Sequence, residues 1–288
     1  MTAQIPGATI TARRGTRRSP AQLSALMRTT MDKDLALKVM DDDDLRQEAI
    51  ATAKVFWWDG RSIHETAPSG LAASLITDMA PVRRLGSYQG APSKLVLHST
   101  RVEGFTSAVL AESKLERHHL VELDRRAGVT AYRTQPMVVV WKFGDAGVIC
   151  QIPDIAAAID GSVEIVSVRP KRLLTDYSHA LLGGLMPDTF AGDNLNYRLE
   201  VDVSPIRVRN LNLMAFLRWK PPVTETGWWA RVAERRPATL YGVSVAASDD
   251  PSLEKQGLFR SLLALAQGHF DVDFEADIDL DSEVAWRE

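Results

Sequence analysis

The chain has 288 residues, 45% hydrophobic and 25% charged, and its 34 Lys and Arg nearly balance 37 Asp and Glu, leaving a formal charge of −3. This composition excludes wholesale disorder and a uniformly basic nucleic-acid-binding protein, and the length favours two domains. No run of residues reaches the roughly 18 apolar positions that a membrane helix requires, and the single cysteine, Cys150, cannot form an internal disulfide. We therefore expect a cytoplasmic protein without a membrane partner.

The first part of the chain is predicted to be mainly helical. Residues 1 to about 20 are expected to form a mobile arm, because they show no hydrophobic periodicity. The acidic run 41–44 predicts the start of a helix over residues 45–56, since carboxylates favour helix N-termini. Three elements are predicted next: a turn at Trp57–Gly60, a short helix over 70–79 and a strand over 94–98.

A longer helix is predicted over residues 106–126. At 100° per residue, Glu116 lies near the middle of its apolar stripe, and Glu112 lies one turn earlier on the same side. A carboxylate on an inward face costs several kcal/mol unless it is paired, protonated or bound to a cation. Glu116 is therefore the first candidate for a functional residue.

Three strands are predicted after this helix, over residues 135–143, 148–157 and 162–169. The turns between them, at 144–147 and Asp160–Gly161, have the spacing of hairpins. A helix followed by antiparallel strands indicates an α+β fold.

Helical patterns return after Pro170, and we place domain boundaries where composition changes. The predicted helices cover 173–185, 211–219, 226–235 and 253–267, with a strand over 197–203 and a short β-wing over 273–286. The predicted domains are an N-terminal arm and helical region 1–80, a central domain 81–185 and a C-terminal domain 186–288.

The central strands carry a set of residues that suits metal chemistry. Asp154 follows Pro153 on the second strand, and Ser167 and Arg169 lie near the end of the third. Because strand side chains alternate, Ser167 and Arg169 project from one face, which a neighbouring Asp154 can share. Together with Glu116 these residues supply the oxygen ligands that hard cations such as Mg²⁺ prefer.

Other interpretations of these residues stay open. Glu164 is three residues from Ser167, so it points to the opposite face unless a β-bulge shifts the register, and Gln151 likewise needs a local twist to join Asp154. Alternatively, Arg169 forms a buried ion pair with Glu116 or Asp154 that only holds the sheet to its helix.

Four short segments occur in order around these positions: ESKLER at Glu112–Arg117, YRTQP at Tyr132–Pro136, Pro153–Asp154, and VSVRP at Val166–Pro170. Taken together they resemble the TnsA-like endonuclease subunits of heteromeric transposases, within the PD-(D/E)XK nuclease superfamily. Further similarity at Arg209–Leu211 and 259–286 extends the resemblance over about residues 80–288. Each segment alone is weak evidence, whereas the ordered set is fairly specific.

The resemblance implies a restriction-endonuclease-like sheet flanked by helices, followed by a mainly helical, winged-helix-like domain. It implies catalytic roles for Glu116, Asp154 and Arg169. It implies Mg²⁺, or Mn²⁺, held by Glu116, Asp154 and Ser167. The residues that could support the site are Gln135, Glu112, Glu164 and Gln151.

Two residues depart from the family's pattern. Ser167 stands where the family has an acid, and a neutral hydroxyl binds a divalent ion more weakly. Arg169 stands where most members have Lys, and an always-protonated guanidinium cannot exchange a proton. The resemblance therefore supports the nuclease fold more directly than it supports catalytic activity.

The resemblance implies an enzyme that cuts double-stranded DNA at transposon ends together with a DDE-type transposase. Two alternatives remain: a catalytically weakened nuclease-fold scaffold that binds DNA or a partner, and a regulatory or phage-derived DNA-binding protein. The sequence also leaves a homodimer open. Seven acids between Asp271 and Glu283 argue against broad phosphate contact by the C-terminal domain and favour a protein partner there.

Overall fold

The computed structural model describes residues 4–5, 8–9, 23, 31–82, 96–99, 108–217, 220–250 and 253–287. The predicted N-terminal arm lies mostly outside these residues. The chain divides into two compact units. The first, the sheet unit, comprises Met1–Ser99, Glu103–Glu116 and Val129–Asp202, and the second, the helical unit, comprises Thr100–Val102, Arg117–Gly128 and Val203–Glu288.

Helices and several antiparallel or mixed sheets alternate along the described residues, so the expected α+β class is confirmed. The α-helices are α1 (Lys33–Met40), α2 (Asp43–Ala51), α3 (Ala73–Ile76), α4 (Lys114–Arg125), α5 (Asp176–Ala180), α6 (Met186–Thr189), α7 (Pro205–Leu217), α8 (Gly227–Arg235), α9 (Leu240–Ala247) and α10 (Glu254–Ala266). The strands are β1 (Gln4–Ile5), β2 (Ala8–Thr9), β3 (Lys54–Trp58), β4 (Ile63–Thr66), β5 (Val96–Ser99), β6 (Ala108–Ala111), β7 (Val129–Thr134), β8 (Met137–Phe143), β9 (Gly147–Gln151), β10 (Ile155–Ile159), β11 (Ser162–Val168), β12 (Leu195–Glu200), β13 (Phe270–Asp271) and β14 (Ala285–Trp286). Short helical turns occur at Pro68–Gly70, Lys171–Leu173, Leu181–Leu185 and Val223–Glu225.

Two four-stranded sheets frame the sheet unit. One has the order β4-β3-β8-β9 and is antiparallel, whereas the other has the order β12-β11-β10-β7, with β12 parallel to β11. Both predicted hairpin turns are confirmed, since β8 pairs with β9 and β10 with β11. Asp160 and Gly161 have φ angles of 49° and 81°, as a two-residue type I′ turn requires.

One hydrophobic core joins these sheets to the helices of the sheet unit. Trp141 of β8 is fully buried in it, together with Ala156 of β10 and Leu182 after α5. The Trp141 indole N–H donates to Thr189 Oγ1 at 2.8 Å, so its polar end is satisfied. The core thus packs against the face of the second sheet that carries Val163 and Ile165 of β11.

The predicted helix over 106–126 is wrong in its first part. Residues 108–111 form strand β6, and helix α4 begins at Lys114. Ser113 ends the strand, because its hydroxyl oxygen accepts the Glu116 N–H at 3.1 Å and its O–H donates to the Glu116 carboxylate at 3.0 Å. This reciprocal pair resembles a capping box, which sets the helix start more strongly than apolar periodicity does.

The predicted strand over 148–157 is also wrong, because it is two strands in two different sheets. Strand β9 ends at Gln151 and β10 begins at Ile155. Pro153 has no N–H to donate, so a ladder cannot continue through it, and the chain crosses from one sheet to the other there. Asp154 thus lies at a strand break rather than inside a strand.

The predicted helix over 45–56 ends earlier than expected. Helix α2 stops at Ala51, and Trp57 and Trp58 lie in strand β3 rather than in a turn. The segment is rich in β-branched and aromatic residues, and its pairing with both β4 and β8 overrides the local helical pattern.

The helical unit packs helices α7–α10 around its own core, which includes Met214, Trp228 and Val243. A Cβ at Gly257 would lie 2.2 Å from the Ser244 carbonyl oxygen, so helices α9 and α10 approach closely only because this residue is glycine. The predicted β-wing is reduced to the pairing of β13 with β14, and a winged-helix-like domain is not confirmed. No helix within the described ranges is both long and apolar enough to cross a membrane.

The two C-terminal segments of the resemblance meet in this unit. Asn210 is buried, and its Nδ2 donates to the Phe274 carbonyl at 3.0 Å and to the Ala276 carbonyl at 2.8 Å. Arg207 and Arg209, which precede Asn210 on the same helix, form ion pairs with Glu275 and Asp277. Asn210 therefore fixes the acidic C-terminal segment along α7.

Candidate active site

Three strand ends bring polar residues into one row of the second sheet. Ile155 pairs with Thr134 of β7 and Val166 of β11, and Asp154 directly precedes Ile155 in the chain. Backbone hydrogen bonds join Asp154 to both neighbouring strands, because Gln135 N–H donates to the Asp154 carbonyl at 2.9 Å and Asp154 N–H donates to the Val166 carbonyl at 3.0 Å. Asp154 therefore lies beside the ends of β7 and β11, and it and Ser167 both lie near Tyr197.

The Asp154 carboxylate is held by two hydrogen bonds. Its Oδ2 accepts the Val168 N–H at 2.7 Å, and its Oδ1 accepts from Gln135 Nε2 at 3.2 Å. The first bond is possible because the strand break leaves the Val168 N–H without its ladder partner. A carboxylate held in this way is already oriented to bind a cation, because the side chain does not have to reorganise on binding.

Gln135 adopts an unusual backbone conformation beside Asp154. Its φ angle of 51° lies in the left-handed region, which costs a non-glycine residue on the order of 1 kcal/mol or more. Its N–H is bound by Asp154, and its carbonyl accepts the Val82 N–H at 2.9 Å, so the surroundings impose this conformation. Gln135 is fully buried, and its Oε1 makes no hydrogen bond to a described residue.

Glu116 lies in the first turn of α4 with 5% of its surface exposed. Its Oε2 accepts the Glu112 N–H at 2.9 Å and its Oε1 accepts the Ser113 hydroxyl at 3.0 Å. Burial, and then the negative charge of Asp154, raise the pKa of Glu116 to about 8, and the charge of Glu112 adds to this increase. Two carboxylates from distant parts of the chain therefore share one poorly solvated place.

Ser167 completes the row, and Tyr197 of β12 joins it. Ser167 is 1% exposed, and neither its hydroxyl nor that of Tyr197 makes a well-aligned hydrogen bond within the described part of the chain. Burial raises the pKa of Tyr197, the charge of Asp154 raises it further, and the nearby Ser167 hydroxyl lowers it. The sequence pattern did not identify Tyr197, because a parallel partner strand carries no signal in local alternation.

Arg169 follows β11 and is exposed. Its N–H donates to the Glu200 carbonyl at 2.8 Å. Among the residues that the structure describes, Arg169 forms no ion pair, so the alternative in which it pairs with Glu116 or Asp154 is not observed. The structure therefore places Glu116 near Asp154, and Asp154 and Ser167 near Tyr197, and leaves the Arg169 guanidinium without an ion pair to the described acids.

The two remaining candidates lie elsewhere. The register of β10 and β11 is regular, without a bulge, so Glu164 points to the face opposite Ser167, where it lies 3.4 Å from Arg198. Glu164 therefore does not replace the missing acid. Gln151 ends β9 in the other sheet, and its Nε2 donates to the Ile152 carbonyl at 2.9 Å.

The chemistry of this row fits a hard divalent cation. The available donors are two carboxylates, the Ser167 hydroxyl and the Gln135 amide oxygen, and Mg²⁺ and Mn²⁺ prefer such oxygens. Glu116 is buried and Asp154 is partly buried, and a divalent ion would supply the counter-charge that both carboxylates need when they are ionised. No group of three or more His, Cys, Asp or Glu side chains suited to a metal occurs in the described ranges.

Neither of two comparisons with known proteins identifies a relative of this chain. No protein-family model matches the chain, and no curated protein matches it either. The interpretation of the site therefore rests on its hydrogen bonds, its burial and the order of its motifs.

Binding of Mn²⁺ is expected to strengthen as pH rises from 6 to 8. Glu116, with a pKa of about 8, holds a proton below that pH, and the proton competes with the cation. The apparent dissociation constant should therefore fall by about tenfold per pH unit, and then level off above pH 8. Isothermal titration calorimetry in two buffers of different ionisation enthalpy measures both the affinity and the proton released. An affinity independent of pH would remove Glu116 from the ligand set.

Proposed function

We propose that this chain is a divalent-cation-dependent DNA endonuclease subunit of the TnsA-like kind. The observation that carries the proposal is the proximity of the buried Glu116 to the partly buried Asp154, whose charge raises the pKa of Glu116. Each stands within a segment of the resemblance, ESKLER and Pro-Asp, and each is positioned by a different structural device. A capped helix start holds Glu116, and a strand break holds Asp154.

The sheet unit corresponds, in this proposal, to a restriction-endonuclease-like nuclease domain. Glu116, Asp154 and Ser167 hold Mg²⁺ or Mn²⁺, and Gln135 and the Val168 N–H orient the Asp154 carboxylate. When bound, the cation lowers the pKa of the attacking water and neutralises charge on the scissile phosphate. Arg169, exposed at the end of the same strand, supplies positive charge for the phosphate. Hydrolysis leaves a 5′-phosphate and a 3′-hydroxyl.

The helical unit corresponds to the winged-helix-like C-terminal domain of the family. The contact between Asn210 and the backbone of residues 274–276 supports this assignment, because it joins the two downstream segments of the resemblance. Its acidic segment favours a protein partner, and the resemblance implies a DDE-type transposase. The substrate is double-stranded DNA at a transposon end.

A catalytically weakened scaffold is the second candidate, and one observation favours it. The third position of the row is the neutral Ser167, and the Arg169 guanidinium makes no ion pair with the acids in the described part of the chain. A scaffold would bind DNA or its partner without a cation.

Cation binding by the full chain tests the proposal directly. We expect one Mn²⁺ per chain, measured by calorimetry at pH 8, and nicking of a supercoiled plasmid that depends on Mn²⁺ and stops with EDTA. Asp154→Asn should abolish both, because the amide removes the charge but keeps the size of the side chain. If the chain bound DNA equally well in EDTA and did not bind Mn²⁺ at millimolar concentrations, it would be a scaffold rather than an enzyme.

A further inference from the structure

The helical unit contains a cavity of about 430 Å³ that the nuclease proposal does not use. Arg117 of α4, three residues of α7 and the following Lys220 line it; the α7 residues are Asn212, Ala215 and Phe216. A cavity of this volume lies within the range of small-ligand sites. It has room for one nucleobase and its phosphate.

Phe216 is the most prominent feature of this cavity. Its neighbours on α7, Met214 and Ala215, are buried in the core of the unit, whereas Phe216 is 69% exposed. The ring thus contributes little to the core of its own unit. Lys220 Nζ lies 5.9 Å from the ring centroid, so the aromatic surface and a cation are side by side.

The cavity is lined by two basic residues, Arg117 and Lys220. Elsewhere in the helical unit, acids of the C-terminal segment neutralise basic residues: Glu275 pairs with Arg207, Asp277 with Arg209, and Asp271 with Arg125 and Arg287. Arg117, by contrast, forms no ion pair within the described ranges, and none of the described residues that line the cavity is acidic. The charge of the cavity is therefore complementary to an anion.

We propose that this cavity binds one nucleotide of single-stranded DNA, with the unpaired base on the Phe216 ring and its phosphate between Arg117 and Lys220. Aromatic rings beside cations are the recurrent means of holding single strands, because every base has a flat face and every nucleotide a charge. A docked protein helix would instead need an apolar row, whereas this cavity offers one exposed ring beside Lys220 and a second cation, Arg117, in its lining.

Binding of a fluorescein-labelled oligo(dT) by the full chain tests this inference, with EDTA present so that no cleavage occurs. We expect Phe216→Ala to weaken binding by about tenfold and Phe216→Trp to restore it, since both results follow from stacking. Arg117→Ala and Lys220→Ala should each weaken binding and reduce the slope of log K against log salt by about 0.7.

Two exposed residues of the same unit serve as matched controls. Leu213 lies on α7 outside the cavity, and Tyr241 is an exposed aromatic residue on α9; alanine at either position should leave oligonucleotide binding unchanged. The inference is overturned if the wild type does not bind the oligonucleotide at low salt, or if Phe216→Ala binds it equally well. It is also overturned if Phe216→Ala and Leu213→Ala alter only self-association. Mn²⁺ binding and nicking report on the other unit, so a failure here leaves the nuclease proposal standing.

Discussion

Replacing Glu116 by Gln is expected to abolish nicking and, at the same time, to stabilise the metal-free protein. The folded chain keeps a buried carboxylate beside Asp154, and this raises the pKa of Glu116 from 4.5 to about 8. At neutral pH, the wild-type chain must therefore either take up a proton at Glu116 when it folds or bury the charge of Glu116. A Gln side chain at this position requires neither. Nicking should fall by at least about 100-fold, because one of two charged ligands is lost.

The stabilisation should depend on pH with a defined sign. Below about pH 4.5 Glu116 is protonated in both the folded and the unfolded chain, so the variant and the wild type should be equally stable. As pH rises from 4.5 to 8, the unfolded chain releases the proton and the folded chain keeps it, so the wild type alone loses stability. At pH 8 the variant should be more stable by about 1 to 3 kcal/mol. Urea unfolding in EDTA at three pH values measures this difference.

Glu164→Gln is the matched control for Glu116→Gln. Glu164 is also a buried carboxylate of the sheet unit, but it lies beside Arg198 on the opposite face of β11. Its replacement should lower stability and leave Mn²⁺ affinity unchanged. If Glu116→Gln instead lowered the free energy of unfolding at pH 8, Glu116 would be a structural residue and the cation site would be lost with it.

The second large effect is expected from Ser167→Asp. An added carboxylate opposite Asp154 should increase Mn²⁺ affinity by about 10- to 100-fold, and it should increase nicking equally where Mn²⁺ is limiting. The same charge should destabilise the metal-free chain by about 1 to 3 kcal/mol, since three carboxylates then share a buried place. Mn²⁺ should reverse this loss.

Ser167→Asn separates charge from size in that experiment. It adds a side chain of the same volume as Asp without the charge, so Mn²⁺ affinity should stay within about threefold of the wild type. Thermal unfolding with and without Mn²⁺, together with plasmid nicking, compares the three proteins. A destabilised Ser167→Asp variant that Mn²⁺ does not rescue would show that the row does not hold a cation.

Much of the candidate site was predictable because it depends on short-range rules. The Asp160–Gly161 turn sets the register of its hairpin, which pairs Ile155 with Val166 and so brings Asp154 and Ser167 to the same end of the two strands. Regular alternation likewise placed Glu164 on the other face. The inward position of Glu116 was predicted from a helical stripe, although the structure begins that helix at Lys114 and makes the preceding residues a strand.

The errors concern features that local patterns do not encode. Apolar runs such as residues 108–111 suit a helix or a strand equally well, and only the pairing of β5 with β6 decides between them. The chain's crossing between two sheets at Pro153 depends on where β9 and β10 find partners. Tyr197 reaches the site only because β12 pairs in parallel with β11.

The sequence by itself determined the α+β class and the two hairpins, because turn residues and alternation act over a few positions. The tertiary structure alone decided that the buried Glu116 lies near Asp154 and that the exposed Phe216 ring lies beside Lys220. Burial and electrostatic coupling depend on distance in space. Residues that are far apart along the chain come close together only when the strands and helices have packed.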